Sequence, residues 1–185
     1  MTDRSTLITL LATRSTRRGQ FTLASGKTSE LYIDARLTTM SPEGLRLIGS
    51  LGVDILRTEG WEVDAVGGLT LGADPIAYAI SYASASTTKP VRAFTVRKQA
   101  KAHGTAKLIE GPFVEGDQVA IVEDVVTTGR STLQAIDAVR EAGGKIVGVL
   151  ALVDREEGGK QAIEATGIRV VSIVRAAEIT AILPK

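Results

Sequence analysis

The chain has 185 residues and a formal net charge of +1, from 22 Lys and Arg against 21 Asp and Glu. That length fits one domain, and so even a balance of charge argues against a protein that coats nucleic acid. With no cysteine and a single histidine, disulfides, thiolate catalysis, Cys-ligated metals and multi-His metal sites are excluded.

Leu7, Ile8, Leu10 and Leu11 carry helical spacing, so the chain is expected to open with a helix. Arg14, Arg17 and Arg18 follow this apolar stretch, the reverse of a secretory signal, where charge comes first. The longest apolar run, Ile146 to Val153, has eight residues, too few to span a bilayer, and a cytoplasmic protein is expected. The alternation in FTLASGKTSELYIDAR predicts strands around a Ser-Gly turn. Ser41-Pro42-Glu43 then reads as an N-cap, a first-turn proline and a first-turn acid, with Leu45, Ile48, Leu51 and Ile55 on one helical face.

From Asp64 the rhythm changes. Short β-branched runs at Ala65–Val66, Val91–Val96, Val119–Val122, Ile146–Val153 and Val170–Val174 alternate with helical patterns, one of which puts Leu133, Ile136 and Val139 on a single face. Apolar strands alternating with helices predict a parallel sheet covered on both faces. In such sheets ligands bind outside the carboxyl ends of the strands. Gly67-Gly68, Arg97-Lys98, Glu123-Asp124 and Asp154-Arg155 are expected at those ends, and Gly158-Gly159 in a loop beyond the fourth. Gly67 and Gly68 are read as a close approach of backbone to ligand.

Two segments carry chemistry. In VAIVEDVVTTGRST, Thr127-Thr128-Gly129-Arg130-Ser131 is expected to turn tightly into a helix whose unpaired amides and dipole suit a phosphate. Glu123 and Asp124 would repel that phosphate, so they are assigned to sugar hydroxyls or to a metal held on the ligand. A phosphorylated ribose satisfies both halves; the plainer alternative is a helix cap made by Asp124 and the threonines. The second segment, Arg97 to Lys107, lies within 75–109, which has six Lys or Arg, the histidine, and no Asp or Glu. It is expected to be a mobile loop whose Arg97, Lys98, Lys101 and His103 lack counter-charges and clamp a polyanion; the alternative is a solvated basic face. Gly26-Lys27-Thr28 does not complete a Walker P-loop, because residue 21 is Phe. VGGLTLGAD does not give G-x-G-x-x-G, and no G-x-S-x-G accompanies His103.

VAIVEDVVTTGRS resembles the phosphoribosyl pyrophosphate signature of type I phosphoribosyltransferases. FTLASGKTS, GGLTLGADPIA, RKQAKAHG and the Asp154-Arg155 pair are similar to the orotate-specific members, so the resemblance covers nearly the whole chain. It implies an α/β fold, a doubly wound and mainly parallel sheet, in one domain over residues 1–185, with about 1–40 forming a small N-terminal hood. It implies transfer of the 5-phosphoribosyl group from phosphoribosyl pyrophosphate to orotate, giving orotidine 5′-monophosphate and pyrophosphate in pyrimidine synthesis. By the same resemblance Lys101, His103 and Asp124 are catalytic, and Glu123 and Asp124 hold the ribose hydroxyls. The phosphoribosyl pyrophosphate site would comprise Arg97, Lys98, Lys101, His103 and the run Glu123, Asp124, Val125, Val126, Thr127, Thr128, Gly129, Arg130, Ser131. Thr127 and Arg155 would meet orotate. Mg²⁺ would ride mainly on substrate oxygens with no dedicated protein site, and a homodimer would share the 97–107 loop between subunits. Nucleic acid and membrane partners are not implied.

Two places depart from the family pattern. Ala24 stands where some members have lysine, and Thr70-Leu71 where they have Tyr-Lys; Lys27 or the basic loop is the candidate replacement. A purine-type transferase leaves FTLASGKTS and RKQAKAHG unexplained. A nucleic-acid-binding regulator that keeps the pocket as a sensor would favour an added basic domain.

Overall fold

The computed structural model describes residues 3–22, 28–99 and 107–183. Helix α1 (Asp3–Leu10) widens into a π-helical turn at Leu11–Ser15 and buries Leu7 and Leu11. Strands β1 (Thr16–Thr22) and β2 (Thr28–Ile33) pair antiparallel as a separate two-stranded sheet. The predicted Ser-Gly turn between them lies outside the described residues. The first strand begins at Thr16, earlier than the alternation from Phe21 implied, because Thr16 to Arg18 pair with Leu31 to Ile33.

A short helix α2 (Arg36–Thr39) leads into α3 (Pro42–Thr58). Its cap is as read from the sequence: Ser41 Oγ accepts from the Gly44 amide at 3.1 Å, and Pro42 opens the helix. Its buried row differs from the predicted face: Leu47, Ile48 and Leu56 are buried, while Leu45, Leu51 and Ile55 only flank the core. Gly49 and Gly52 are the reason. A Cβ at Gly49 would stand 2.5 Å from the Ala79 carbonyl oxygen, and one at Gly52 would stand 2.5 Å from Ile80 Cγ1. The next long helix therefore crosses α3 at the glycines and draws that side inward.

The larger sheet comprises β3 (Ala65–Leu69), β4 (Arg92–Val96), β5 (Ile109–Glu110), β6 (Gln118–Val126), β7 (Lys145–Asp154) and β8 (Val170–Arg175), in the order β5-β4-β3-β6-β7-β8. Every pairing is parallel except that of the edge strand β5. Helices α4 (Ala73–Ser84) and α7 (Ala176–Ile182) join α1 and α3 on one face; α5 (Arg130–Glu141) and α6 (Gly159–Glu164) cover the other. Alternate strand residues feed the two cores: Ala120 and Val122 of β6 enter the first, Val119 and Ile121 the second. Leu133, Ile136 and Val139 of α5 pack on the second core, as their spacing predicted. The two-residue β5 carries no periodic signal and was not foreseen. Among the described residues no helix is long and apolar enough to cross a membrane.

The chain leaves β3 for β4 on one side and returns to β6 on the other. The order thus reverses between β3 and β6, where the loop-bearing strand ends diverge and open sheets of this kind bind ligands.

Candidate functional site

A cleft of about 270 Å³ opens at that reversal. Leu69, the last residue of β3, and Thr70 to Gly72 beyond it form one wall, Glu123 to Val125 of β6 the floor, and Tyr32 to Arg36 from the end of β2 the opposite wall; Lys98 and Ser131 complete it. Glu123 and Asp124 were expected just past the end of their strand. Instead β6 continues to Val126, because its neighbour β7 runs on to Asp154 and supplies pairing that far.

Each acid of the pair has its own surroundings. Glu123 is 5% exposed, and its Oε2 accepts a 3.0 Å hydrogen bond from Thr132 Oγ1 in the first turn of α5. Burial, aided by the negative charge of Asp124 beside it, pushes the Glu123 carboxyl up to about 8. Asp124 is half-buried, and its Oδ1 accepts from the Val125 amide at 2.8 Å. Its carboxylate lies against Gly72, where a Cβ would stand 2.5 Å from Cγ and both oxygens. Asp124 is therefore not a cap of α5.

The cap position belongs to Gly129, at φ 79°, and no side chain caps α5 among the described residues. A Cβ on Gly159 would come within 2.4 Å of the Thr127 carbonyl oxygen, so the Gly158-Gly159 turn is pressed against this loop. Val126 is buried at the end of β6, Thr127 is half-buried, and Thr128, Arg130 and Ser131 are exposed at the helix start. Helix-start amides without a side-chain cap, beside the exposed Thr128 and Ser131, have the chemistry to receive an anion. Gly67 and Gly68 serve another purpose than expected: added Cβ atoms would strike the Phe94 and Val122 carbonyl oxygens, at 2.4 and 2.1 Å. Their smallness admits neighbouring backbone, not a ligand.

Arg97 and Lys98 follow β4, with Lys98 in the cleft lining. The expected lack of counter-charge does not hold at the base of this segment. Arg97 Nη1 lies 3.5 Å from Glu110 Oε1 on β5, which brings an acid from beyond the basic stretch. Arg97 also borders a hollow along α5 with Thr128, Arg130 and Gln134, and Gln134 Nε2 donates to the Lys98 carbonyl at 3.2 Å. Lys101 and His103, like Ala24 and Lys27, lie outside the described residues.

Arg155 is buried just past β7. Its amide donates to the Val126 carbonyl at 3.0 Å, and its Nη2 meets Glu157 Oε1 at 2.6 Å. Sequence reasoning missed Arg36. Its Nε and Nη2 donate to the two oxygens of Asp34 at 2.8 and 3.0 Å, a bidentate pair in the cleft wall. That bonding holds the Asp34 carboxyl below its usual range and raises Arg36. The Asp-x-Arg spacing at the end of an alternating stretch was the available signal. Among the described residues no group of three or more His, Cys, Asp or Glu forms a metal cluster.

Comparison with known proteins places this geometry. The phosphoribosyl transferase domain family matches residues 39–180. An orotate phosphoribosyltransferase from Aquifex aeolicus is 45% identical over 182 residues, covering 97% of this chain and 98% of the relative. The crystal structure of the Mycobacterium tuberculosis orotate phosphoribosyltransferase with Fe(III) dicitrate superposes with a TM-score of 0.84 at 44% identity, covering 96% of this chain and 99% of that one. The same enzyme in complex with 5-phospho-α-D-ribosyl 1-diphosphate gives 0.77 at 38% identity, over 96% of this chain and 91% of that one.

Proposed function

Because the chain belongs to the phosphoribosyltransferase family and its activity is that of an orotate phosphoribosyltransferase, we propose that residues 123–131 bind the phosphoribosyl group in transit. The reaction moves that group from phosphoribosyl pyrophosphate to orotate, giving orotidine 5′-monophosphate and pyrophosphate. The observation that carries the assignment is the acid pair on the cleft floor, in the strand that leads through Thr127-Thr128-Gly129 into a helix N-terminus without a side-chain cap. Glu123 and Asp124 take the ribose hydroxyls. Glu123, with a carboxyl pushed up to about 8, offers a proton as well as acceptor oxygens near neutrality. The amides of Thr127 to Ser131 and the hydroxyls of Thr127, Thr128 and Ser131 take the 5′-phosphate.

Breaking the bond from ribose C1 to the pyrophosphate oxygen builds positive charge on the sugar and negative charge on the leaving group. Asp124 serves the first, and Arg97, Lys98, Lys101 and His103 the second. Arg155 takes the carboxylate of orotate, exchanging its present acid partner Glu157 for the substrate's. Mg²⁺ would supply neutralising charge to the pyrophosphate, held mainly by substrate oxygens rather than by a dedicated protein site. The cleft offers Asp34, Asp124 and a buried Glu123, a donor set suited to steadying a substrate-borne cation rather than caging one.

The assembly proposed is a homodimer in which the 97–107 segment of one protomer serves its partner's cleft. Residues 1–185 act as one domain, with about 1–40 as a hood over the site; Tyr32 to Arg36 in the cleft wall support that role. A substrate with three phosphoryl groups does not cross a bilayer unaided, in keeping with a cytoplasmic setting. The test is orotate consumption, followed by absorbance, with phosphoribosyl pyrophosphate and Mg²⁺. Turnover of a purine base in place of orotate overturns the assignment.

A further inference from the structure

We propose that Asp74 is a positioning residue for the ribose side of the site, holding the 70–72 loop against the Asp124 carboxylate. Asp74 lies in the first turn of α4 and is 8% exposed. Both its oxygens are engaged: Thr70 Oγ1 donates to Oδ2 at 2.7 Å, and Thr95 Oγ1 donates to Oδ1 at 2.9 Å. The Thr95 hydroxyl also lies 2.9 Å from Tyr78 Oη. An acid at this place gains from the dipole of α4. One serving only the helix would bond to first-turn amides, whereas these oxygens reach back to the loop and across to β4.

The loop gains a fixed shape from this. The Thr70 amide donates to the Val96 carbonyl at 2.8 Å, so Thr70 is tied to β4 by its backbone and to Asp74 by its side chain. Two residues on, Gly72 touches the Asp124 carboxylate so closely that a single added carbon would stand 2.5 Å from it. A loop with that little clearance transmits any shift of Thr70 to the acid. Leu69 to Gly72 line the cleft, while Asp74 and Thr95 stand behind that wall. Asp74 acts through the loop, without touching substrate.

The inference rests on the proposed assignment of Asp124 to the ribose. Steady-state kinetics on Asp74→Ala, Asp74→Asn and Thr95→Val, with each substrate varied and melting temperatures recorded, test it. Asp74→Ala should raise KM for phosphoribosyl pyrophosphate by about tenfold or more, the scale for a small misplacement of a reacting group. KM for orotate should stay within about twofold, and Asp74→Asn, which keeps an acceptor oxygen, should recover most of the loss. Thr95→Val preserves shape and removes one donor; it should raise the same KM by severalfold and be rescued by Thr95→Ser, which also covers an Asp74→Ala variant that fails to fold. Equal rises in both KM values, or a lowered melting temperature with unchanged KM values, overturn the inference and leave Asp74 a structural acid. Absence of orotate turnover in the unmodified protein overturns the assignment of function instead.

Discussion

The Thr132 hydroxyl meets the Glu123 carboxyl at 3.0 Å in the buried angle between β6 and α5, with the two residues 1% and 5% exposed. The bond lowers a carboxyl that burial and Asp124 raise from an ordinary 4.5 to about 8. A pKa raised by folding means that the folded chain takes up a proton. The stability this group contributes is complete below 4.5 and is lost as pH rises to about 8. Glu123→Gln should therefore gain in melting temperature relative to the parent protein as pH increases from about 5 to about 9. Thr132→Val should move the midpoint of the parent's loss upward. A Gln-minus-parent difference that stays flat across this range would remove Glu123 from the account.

Gly68 and Gly72 lie four residues apart yet should fail differently. A Cβ at Gly68 meets main chain, the Val122 carbonyl oxygen at 2.1 Å, inside the sheet. Gly68→Ala should lose stability by about 1–3 kcal/mol, the range for overpacking a core. At Gly72 the nearest obstacle is the Asp124 side chain. Gly72→Ala should fold, with a melting temperature near the parent's and a raised KM for phosphoribosyl pyrophosphate. Thermal melts beside initial-rate kinetics separate the two, and a Gly72→Ala protein that unfolds contradicts the second expectation.

Arg155→Ala should raise KM for orotate far more than for phosphoribosyl pyrophosphate, because a guanidinium fits the carboxylate of the base. The substitution also leaves Glu157 without the 2.6 Å partner it now has. Measurements on Arg155→Ala/Glu157→Gln therefore show whether the defect comes from the missing guanidinium or from the stranded acid. Equal effects on both substrates would count against the assignment.

Lys101→Ala should lower kcat by roughly 10²–10³-fold, the scale for removing one stabilising donor from a transition state. Asp124→Asn should fold normally, because Asp124 caps no helix, and should impair the ribose side. If the 97–107 segment serves the partner's cleft, a mixed dimer joins the good cleft of one protomer to the good segment of the other. Random equal mixing makes about half the dimers mixed, each with one of two sites intact, so about a quarter of parental activity should return. No recovery after confirmed subunit exchange means that the segment acts within its own chain.

Local order was legible wherever a residue's role depends on its chain neighbours. The Ser41-Pro42 cap, the apolar strands and the turn into α5 at Gly129 were read from the sequence because capping, burial on both faces and a left-handed glycine each leave a short-range pattern. The acid pair stood out for the same reason, as two carboxylates in an apolar run ahead of Thr-Thr-Gly, and it lines the cleft. Contacts between segments far apart in the chain left no such pattern. Only the tertiary structure showed that β6 continues past the acids, that Glu110 pairs with Arg97, and that Gly67 and Gly68 yield to Phe94 and Val122 rather than to a ligand. Packing in three dimensions likewise decided which face of α3 is buried, through Gly49 and Gly52. It also set Asp34 and Arg36 opposite Asp124 in the cleft, and Asp74 between Thr70 and Thr95. Sequence periodicity records the direction in which a side chain faces, whereas these relationships depend on the distance between elements that the chain brings together only when folded.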